Sequence, residues 1–151
     1  GRTLKAVIPG GSSVPIMTAA ETEDCLLDSE GVVARGSMLG SAGMIVMDDS
    51  TDMVYQIWRL ARFYAHESCA QCTQCREGTA WTTKILERIL AGKGKEADLD
   101  LLLSLSENMT GKTICVLSDS CAAPIVSGIA KFRSEFDAYL SGARQPALAM
   151  A

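Results

Sequence analysis

Four cysteines constrain this chain more than any other feature. Three of them, Cys69, Cys72 and Cys75, follow one another at every third position, and Cys115 stands far from them in the sequence. A 4Fe-4S cube has four iron corners and takes one thiolate at each corner, so a Cys-x2-Cys-x2-Cys loop can bind three corners and a distant segment must close the fourth. In bacterial ferredoxins the next cysteine follows at once as x3-Cys-Pro, whereas residues 76–79 of this chain contain no cysteine. The pattern therefore predicts a cluster that joins two separate parts of the fold.

Two other roles for these cysteines stay open. Structural disulfides would require an oxidising compartment, and the chain opens on no apolar signal segment. Zinc prefers two Cys-x2-Cys pairs or mixtures of cysteine and histidine, but Cys115 and Cys121 are too far apart to form the second pair. His66 is the only histidine, which excludes a Rieske-type site, and we expect it to be a polar residue at a helix end.

Composition excludes several classes of partner. The 151 residues are 48% hydrophobic and 21% charged, which is typical of a soluble globular protein. The net charge is -4 and the sequence contains no stripe of lysine and arginine, so we expect no nucleic-acid partner. The longest apolar runs are much shorter than a membrane-spanning helix, so we expect no direct membrane span.

The sequence predicts an α+β fold that changes character near Ser50. Before that point, strand and turn signals dominate: strands at 4–8, 14–17 and 43–47, and a short helix at 29–35 with Asp28 as its N-cap. So few strands make a poor independent sheet, and we expect the strand at 4–8 to lack a partner and to present an exposed edge.

After Ser50 the hydrophobic residues recur with a helical period. We predict helices at 51–67, capped by Ser50 or Thr51, at 78–91 and at 96–109, and a fourth with Pro124 in its first turn and Gly142 past its end. Short loops between amphipathic helices predict an antiparallel four-helix bundle. The predicted inward-facing residues are Val54, Ile57, Trp58, Ala61, Tyr64, Trp81, Ile85, Ile89, Leu90, Leu99, Leu102, Leu103, Leu105, Met109, Ile125, Ile129, Phe132, Phe136 and Tyr139. The first helix leads into the cysteine loop and Cys115 precedes the fourth, so all four cysteines gather at one end of the bundle.

These motifs resemble a known family. Glu67-Ser-Cys-x-Gln-Cys-Thr-x-Cys-Arg-Glu-Gly-Thr79 and Gly111-Lys-Thr-Ile-Cys115-x-Leu-x-Asp119 are similar to the C-terminal part of the NADH-binding flavoprotein subunit of respiratory complex I, called F in bacteria and 51 kDa in mitochondria. Residues 4–13 and 36–48 resemble the SLBB (soluble-ligand-binding β-grasp) domain of that protein. The resemblance extends to about Ser141.

The resemblance implies an organisation and a function. Residues 1–50 would be the C-terminal part of an SLBB β-grasp domain, residues 51–142 a helical 4Fe-4S-binding domain, and residues 143–151 a flexible tail. Cys69, Cys72, Cys75 and Cys115 would bind the 4Fe-4S cluster that takes electrons one at a time from FMN, which NADH reduces. The FMN and NAD sites would belong to a flavin domain upstream of Gly1, so no residue of this chain is assigned to them.

Partners and location follow from the same resemblance. Electrons would pass to clusters of neighbouring peripheral-arm subunits of complex I, including the 24 kDa-type (E) and the large iron-sulfur (G) subunits. The chain would lie in the bacterial cytoplasm or on the mitochondrial matrix side, associated with the membrane through the complex.

Some residues depart from the family pattern. The family usually has glycine and proline where this chain has Ala70 and Gln74, and both changes affect the stiffness of the loop without removing a ligand. Cys121 falls where the family has a small residue, so we expect a buried side chain, and Cys25 receives no role. Arg76 and Lys112 are candidates for offsetting the negative charge of the cluster, or they are ordinary solvated charges.

Two alternative functions stay open. The chain is either the equivalent part of a related enzyme, such as an NAD-linked hydrogenase or a formate dehydrogenase, or an interaction module in which a metal holds a helical bundle together without redox function.

Overall fold

The structure is a computed structural model that describes residues 1–148. The chain divides after Thr51 into two units, which are described separately. The first contains strands β1 (Leu4–Ile8), β2 (Met17–Thr18) and β3 (Ile45–Asp48) and helices α1 (Ala19–Thr22) and α2 (Ser29–Ala34). The second contains α3 (Met53–Glu67), α4 (Thr73–Leu90), α5 (Ala97–Met109), α6 (Leu117–Lys131) and α7 (Arg133–Leu140). Helices and a small sheet confirm the mixed α and β character that the sequence predicts.

The first unit is built around strand β1. It pairs antiparallel with β2 on one side, where Val7 lies opposite Met17, and with β3 on the other, where Val7 lies opposite Val46. The expectation that this strand lacks a partner is therefore wrong, because the two short flanking strands cover both of its edges. The buried residues Ala6, Val7 and Ile8 belong to this strand.

Two short helices complete the first unit. The sequence pattern does not predict helix α1, yet this helix begins with a capping box in which the Thr18 hydroxyl accepts the Glu21 N–H and the Glu21 carboxylate accepts the Thr18 N–H. Helix α2 confirms the predicted cap: the Asp28 carboxylate accepts the Gly31 N–H at 2.6 Å.

Helix α3 confirms the predicted inward face in the second unit. Its buried residues include all five that the sequence predicts, Val54, Ile57, Trp58, Ala61 and Tyr64. The predicted cap is wrong, because Asp52 and not Ser50 or Thr51 is the N-cap, and its carboxylate accepts the Tyr55 N–H at 3.0 Å.

Helices α4 and α5 pack against each other, and both contact α6. Helix α4 begins at Thr73, five positions earlier than predicted, so it takes in the third cysteine of the motif. Ile85, Ile89 and Leu90 of α4 and Leu99, Leu102 and Met109 of α5 are buried as predicted, whereas Trp81 is 52% exposed and Leu103 is 37% exposed. Leu105 is partly buried.

The predicted fourth helix is two helices. Helix α6 begins at Leu117 and contains Pro124 in its interior instead of in its first turn. It ends at Lys131, and α7 starts after Phe132, whose φ of -123° and ψ of 30° interrupt the helix. The predicted core residues Ile125, Ile129, Phe132, Phe136 and Tyr139 are all buried, and Gly142 follows the end of α7 with a φ of 73°. The antiparallel arrangement of a four-helix bundle stays a prediction.

The segment after α7 bonds to the helices. Arg144 forms ion pairs with Asp52 at 3.3 Å and Glu135 at 3.1 Å, and the Ala147 N–H donates to the Leu90 carbonyl at 2.9 Å. These residues belong to the predicted flexible tail at 143–151, of which residues 149–151 lie outside the described part of the chain.

Candidate metal centre

The three clustered cysteines lie where α3 ends and α4 begins. Cys69 is exposed in the connecting loop, Cys72 is the half-buried N-cap residue of α4, and Cys75 is in the first turn of that helix, 7% exposed. The sequence places all three in a loop, but the helix starts early enough to hold the last one. Because a helix fixes its side chains more firmly than a loop does, Cys75 has the best-defined position of the three.

The loop has an unusual backbone at Ala70. Its φ is +63°, in the left-handed region that costs a non-glycine residue roughly 1–2 kcal/mol. Two hydrogen bonds hold it there: the Ala70 N–H donates to the Ser68 hydroxyl at 3.3 Å, and the Arg76 guanidinium donates to the Ala70 carbonyl at 2.8 Å. The position is thus one that favours glycine, although this chain has alanine.

The remote cysteine lies in the segment between α5 and α6. Cys115 is exposed. The segment is anchored to the start of α6, where the Asp119 carboxylate accepts the Gly111 N–H at 2.9 Å and the Thr113 and Ser118 hydroxyls lie 2.6 Å apart. Ser118 is fully buried, so these hydrogen bonds fix the path of the backbone that carries Cys115.

The fold brings this segment to the cysteine loop. The Ile114 N–H donates to the Cys72 sulfur at 3.5 Å, although the two residues are 42 positions apart in the sequence. Ile114 directly precedes Cys115, so the remote cysteine belongs to a segment that contacts the loop. The sequence predicts this meeting of two distant segments.

The donor set fits a cluster better than a single ion. Among residues 1–148, no three His, Cys, Asp or Glu side chains form a group that could hold one metal ion. In a 4Fe-4S cluster each thiolate binds a different iron, so four sulfurs placed around a larger body do not have to converge on one point. All four cysteines are free thiols, without a disulfide.

Residues 55–139 match the family model described as the NADH-ubiquinone oxidoreductase-F iron-sulfur binding region. The match includes all four cysteines and both segments that carry them. The chain belongs to this family.

Proteins similar to this member of the iron-sulfur binding family include named components of oxidoreductases. The chain is 48% identical over 134 residues to an NADH-quinone oxidoreductase component of Rhizobium meliloti, the F-type subunit numbered 1, covering 89% of this chain and 31% of that protein. It is 46% identical over 146 residues to the F-type subunit of NADH-quinone oxidoreductase from Mycobacterium tuberculosis, covering 97% of this chain and 33% of that protein. The chain thus spans about a third of the length of these relatives.

A solved structure shares the fold. The chain aligns with the crystal structure of an NAD+-reducing [NiFe]-hydrogenase in the H2-reduced state with a TM-score of 0.77 and 32% sequence identity, covering 92% of this chain and 24% of that one. Within residues 1–148, none of the helices has the length and apolar character needed to cross a membrane.

The two remaining cysteines lie elsewhere. Cys121 is fully buried in α6, as predicted, and burial together with the nearby Cys75 thiol raises its pKa to about 12. A metal ligand must be a thiolate, so this environment disfavours Cys121 as a ligand. Cys25 is half-buried in the first unit, where it lines a cavity with Val7, Met17 and Val32.

The two cations suggested by the sequence have different surroundings. Arg76 lies at the cysteine loop, where it bonds to the Ala70 carbonyl and forms an ion pair with Glu77 at 2.9 Å. Lys112 is exposed, and its ammonium group lies 3.4 Å from the Asn108 side-chain oxygen. Because Glu77 offsets part of the charge of Arg76 and solvent screens both cations, neither is an isolated positive charge.

Sequence reasoning missed Ser68. Its hydroxyl lies 3.3 Å from the Cys75 sulfur, and it is the residue that ends α3. A serine directly before the first cysteine was the available signal, but only the start of α4 at Thr73 brings Cys75 back to it. Trp81, predicted in the core, instead lines an open groove of about 420 Å³ with Thr73 and Met109.

Proposed function

We propose that Cys69, Cys72, Cys75 and Cys115 bind a 4Fe-4S cluster through which this chain relays electrons in an NADH:quinone oxidoreductase. The observation that carries the proposal is the hydrogen bond from the Ile114 N–H to the Cys72 sulfur. It joins the segment of Cys115 to the loop of the other three cysteines within the region that matches the iron-sulfur family.

The residues around the four thiols favour their ionised form. Cys72 and Cys75 lie at the start of the 18-residue helix α4, where the free N–H groups and the helix dipole stabilise negative charge. The Cys72 sulfur accepts a backbone N–H, and the Cys75 sulfur contacts a hydroxyl. When bound, a 4Fe-4S cluster accepts and passes on one electron at a time. The task of this chain is then to hold the thiolates and to set the energy of the added electron.

The rest of the proposal concerns the intact protein. The names of the relatives contain NADH and quinone. We propose that FMN, reduced by NADH in another part of the intact protein, supplies the electrons. The acceptors would be clusters of other peripheral-arm subunits, including those of the E and G types, on the cytoplasmic or matrix side of the membrane.

The domain organisation belongs to the same proposal. Residues 1–50 would be part of an SLBB β-grasp domain, and residues 51–142 would be an antiparallel helical domain that carries the cluster. Arg76 and Lys112 would offset part of the negative charge of the cluster.

A second candidate is the equivalent part of an NAD-linked hydrogenase. It is favoured by the structural likeness to the NAD+-reducing [NiFe]-hydrogenase, whose sequence is 32% identical to this chain. The higher identity to the NADH-quinone oxidoreductase relatives favours the first candidate. The same electron relay through the same four cysteines serves both.

Cluster chemistry and ligand assignment can be tested together. The 151-residue chain is reconstituted anaerobically with iron and sulfide, and its iron, sulfide and zinc contents and the EPR spectrum of the reduced sample are measured. We expect about four irons and four sulfides per chain. A colourless chain that retains zinc and no iron would instead support the metal-held interaction module.

Two cysteine variants form a matched pair in this experiment. Cys115→Ser should lose or degrade the cluster because it removes the fourth thiolate. Cys121→Ala should keep the cluster because its buried thiol is not a ligand. A cluster retained in the first variant and lost in the second would reverse the ligand assignment.

A further inference from the structure

The most buried of the four cysteine sulfurs has a hydroxyl group beside it. Cys75 is 7% exposed, and its sulfur lies 3.3 Å from the hydroxyl oxygen of the half-buried Ser68. Cys69 and Cys115, in contrast, are exposed to solvent. A hydrogen bond at the Cys75 sulfur is therefore shielded from competition with water, which makes it electrostatically stronger than one at the exposed sulfurs.

The direction of this hydrogen bond follows from the partners of Ser68. Its oxygen accepts the Ala70 N–H at 3.3 Å, which leaves the single hydroxyl hydrogen to be donated. A thiolate that binds iron has no hydrogen of its own. With Cys75 as a ligand, Ser68 must be the donor and the sulfur the acceptor.

We infer that Ser68 is a positioning residue that raises the reduction potential of the cluster by donating a hydrogen bond to the Cys75 thiolate, an inference that rests on the proposed function. Reduction adds one negative charge, which the sulfurs share, so a donor at a sulfur stabilises the reduced form more than the oxidised form. Hydrogen bonds to the sulfurs are among the features that set the potentials of such clusters.

Ser68 has an advantage over the charged residues nearby. The Arg76 side chain is 44% exposed and paired with Glu77, so solvent and the carboxylate both weaken its field at the cluster. The Ser68 hydroxyl carries no net charge, but it touches a ligand sulfur in a buried position. A direct contact of this kind should therefore influence the cluster more than the exposed ion pair does.

The test is an EPR-monitored redox titration of the reconstituted 151-residue chain. Ser68→Ala should lower the ratio of reduced to oxidised cluster at a fixed potential about tenfold, the size expected for one hydrogen bond to a charged acceptor. For a one-electron couple this equals a shift of about 59 mV to lower potential. Ser120→Ala is the control, because the Ser120 hydroxyl bonds to the Val116 carbonyl beside its own helix at 2.8 Å and contacts no cysteine sulfur in the described chain.

Two isosteric variants isolate the hydroxyl group. Ser68 has a φ of -64° and a ψ of 123°, a backbone conformation that β-branched residues adopt readily. Ser68→Thr keeps the donor and should titrate like the original chain, whereas Ser68→Val has nearly the same shape without the donor and should shift like Ser68→Ala. This pair decides the question even where the alanine variant binds the cluster poorly. Equal potentials for Thr and Val would overturn the inference.

A further variant separates the donor role from the shape of the loop. Ser68→Ala also removes the acceptor of the Ala70 N–H, and Ala70→Gly relieves the strain at that residue. We expect the Ser68→Ala, Ala70→Gly double variant to keep the lowered potential and Ala70→Gly alone to leave it unchanged. A double variant with the original potential would show that loop geometry is the cause. If the original chain forms no 4Fe-4S cluster, the proposed function itself fails, a result distinct from a cluster whose potential does not depend on Ser68.

Discussion

The junction between α7 and the start of α3 offers a quantitative test of the second unit. The Tyr139 hydroxyl donates to the Asp52 carboxylate at 2.5 Å, and Tyr139 is 2% exposed. Burial and this carboxylate both raise the pKa of Tyr139, which keeps its hydroxyl protonated as a donor. Tyr139→Phe removes this one hydrogen bond and leaves the ring in place.

The magnitude follows from what remains around Asp52. A hydrogen bond to a charged group contributes roughly 1.5–3 kcal/mol. Asp52 keeps the Tyr55 N–H at 3.0 Å and the Arg144 guanidinium at 3.3 Å, and its side chain is 20% exposed, so water can replace part of the loss. Because phenylalanine leaves almost no cavity, we expect the free energy of unfolding to fall by about 1–2 kcal/mol.

Urea unfolding of the reconstituted chain, followed by circular dichroism, measures this change at a constant m-value. The control is Tyr55→Phe in the same region of α3, since the Tyr55 hydroxyl has no hydrogen-bond partner among residues 1–148. The control should stay within about 0.5 kcal/mol of the original chain. A loss of less than about 0.5 kcal/mol in Tyr139→Phe, or equal losses in both variants, would refute the reasoning.

Two further predictions concern pH and cluster removal. The Ser50 hydroxyl and the Arg2 guanidinium lower the pKa of Asp48 from 3.8 to about 2, so this carboxylate favours the folded state above about pH 4 and that contribution is lost as the pH falls from about 4 through 2; a carboxyl NMR titration measures the midpoint, which Ser50→Ala should raise, and a midpoint near 3.8 in the original chain would contradict the structure. Removing the iron should increase hydrogen exchange at residues 111–116 but not in α6, because α6 packs against α3, α4 and α5 independently of the cluster; loss of protection throughout 117–131 would show that the cluster holds the helix in place.

The hydrophobic periodicity of the sequence predicts the cores of the helices well. The inward face of α3 is correct at every predicted residue, and Phe136 and Tyr139 are buried as expected. Apolar residues at helical spacing can be buried in only one way, so their pattern contains the information directly. Helix ends are different, since Asp52, Ser50 and Thr51 are all acceptable caps, and only the packing of α3 decides among them.

Breaks inside a helical pattern are harder to predict. Pro124 is typical of a first helical turn, but here the segment 117–123 before it is helical as well. Nothing in the sequence around Phe132 marks the end of α6, because the buried residues on either side of it continue the same period. Tertiary packing places the break, and a periodicity argument does not detect it.

The ligands of the site are predictable from the sequence, and their surroundings are not. The spacing of Cys69, Cys72 and Cys75 and the isolation of Cys115 are visible in the sequence, and the contact between Ile114 and Cys72 agrees with them. The Ser68 contact is not visible there, because it depends on where α4 begins and on the direction of one side chain.

Residues beyond α7 have a practical consequence for dividing this protein into pieces. The family match ends at Tyr139, and a cut just after Gly142 would keep every cysteine. That cut would also remove Arg144, which lies between the carboxylates of Asp52 and Glu135 and offsets their mutual repulsion. A fragment designed from the motif alone would therefore begin its first helix with two uncompensated negative charges, and the boundary for expression should lie no earlier than Leu148.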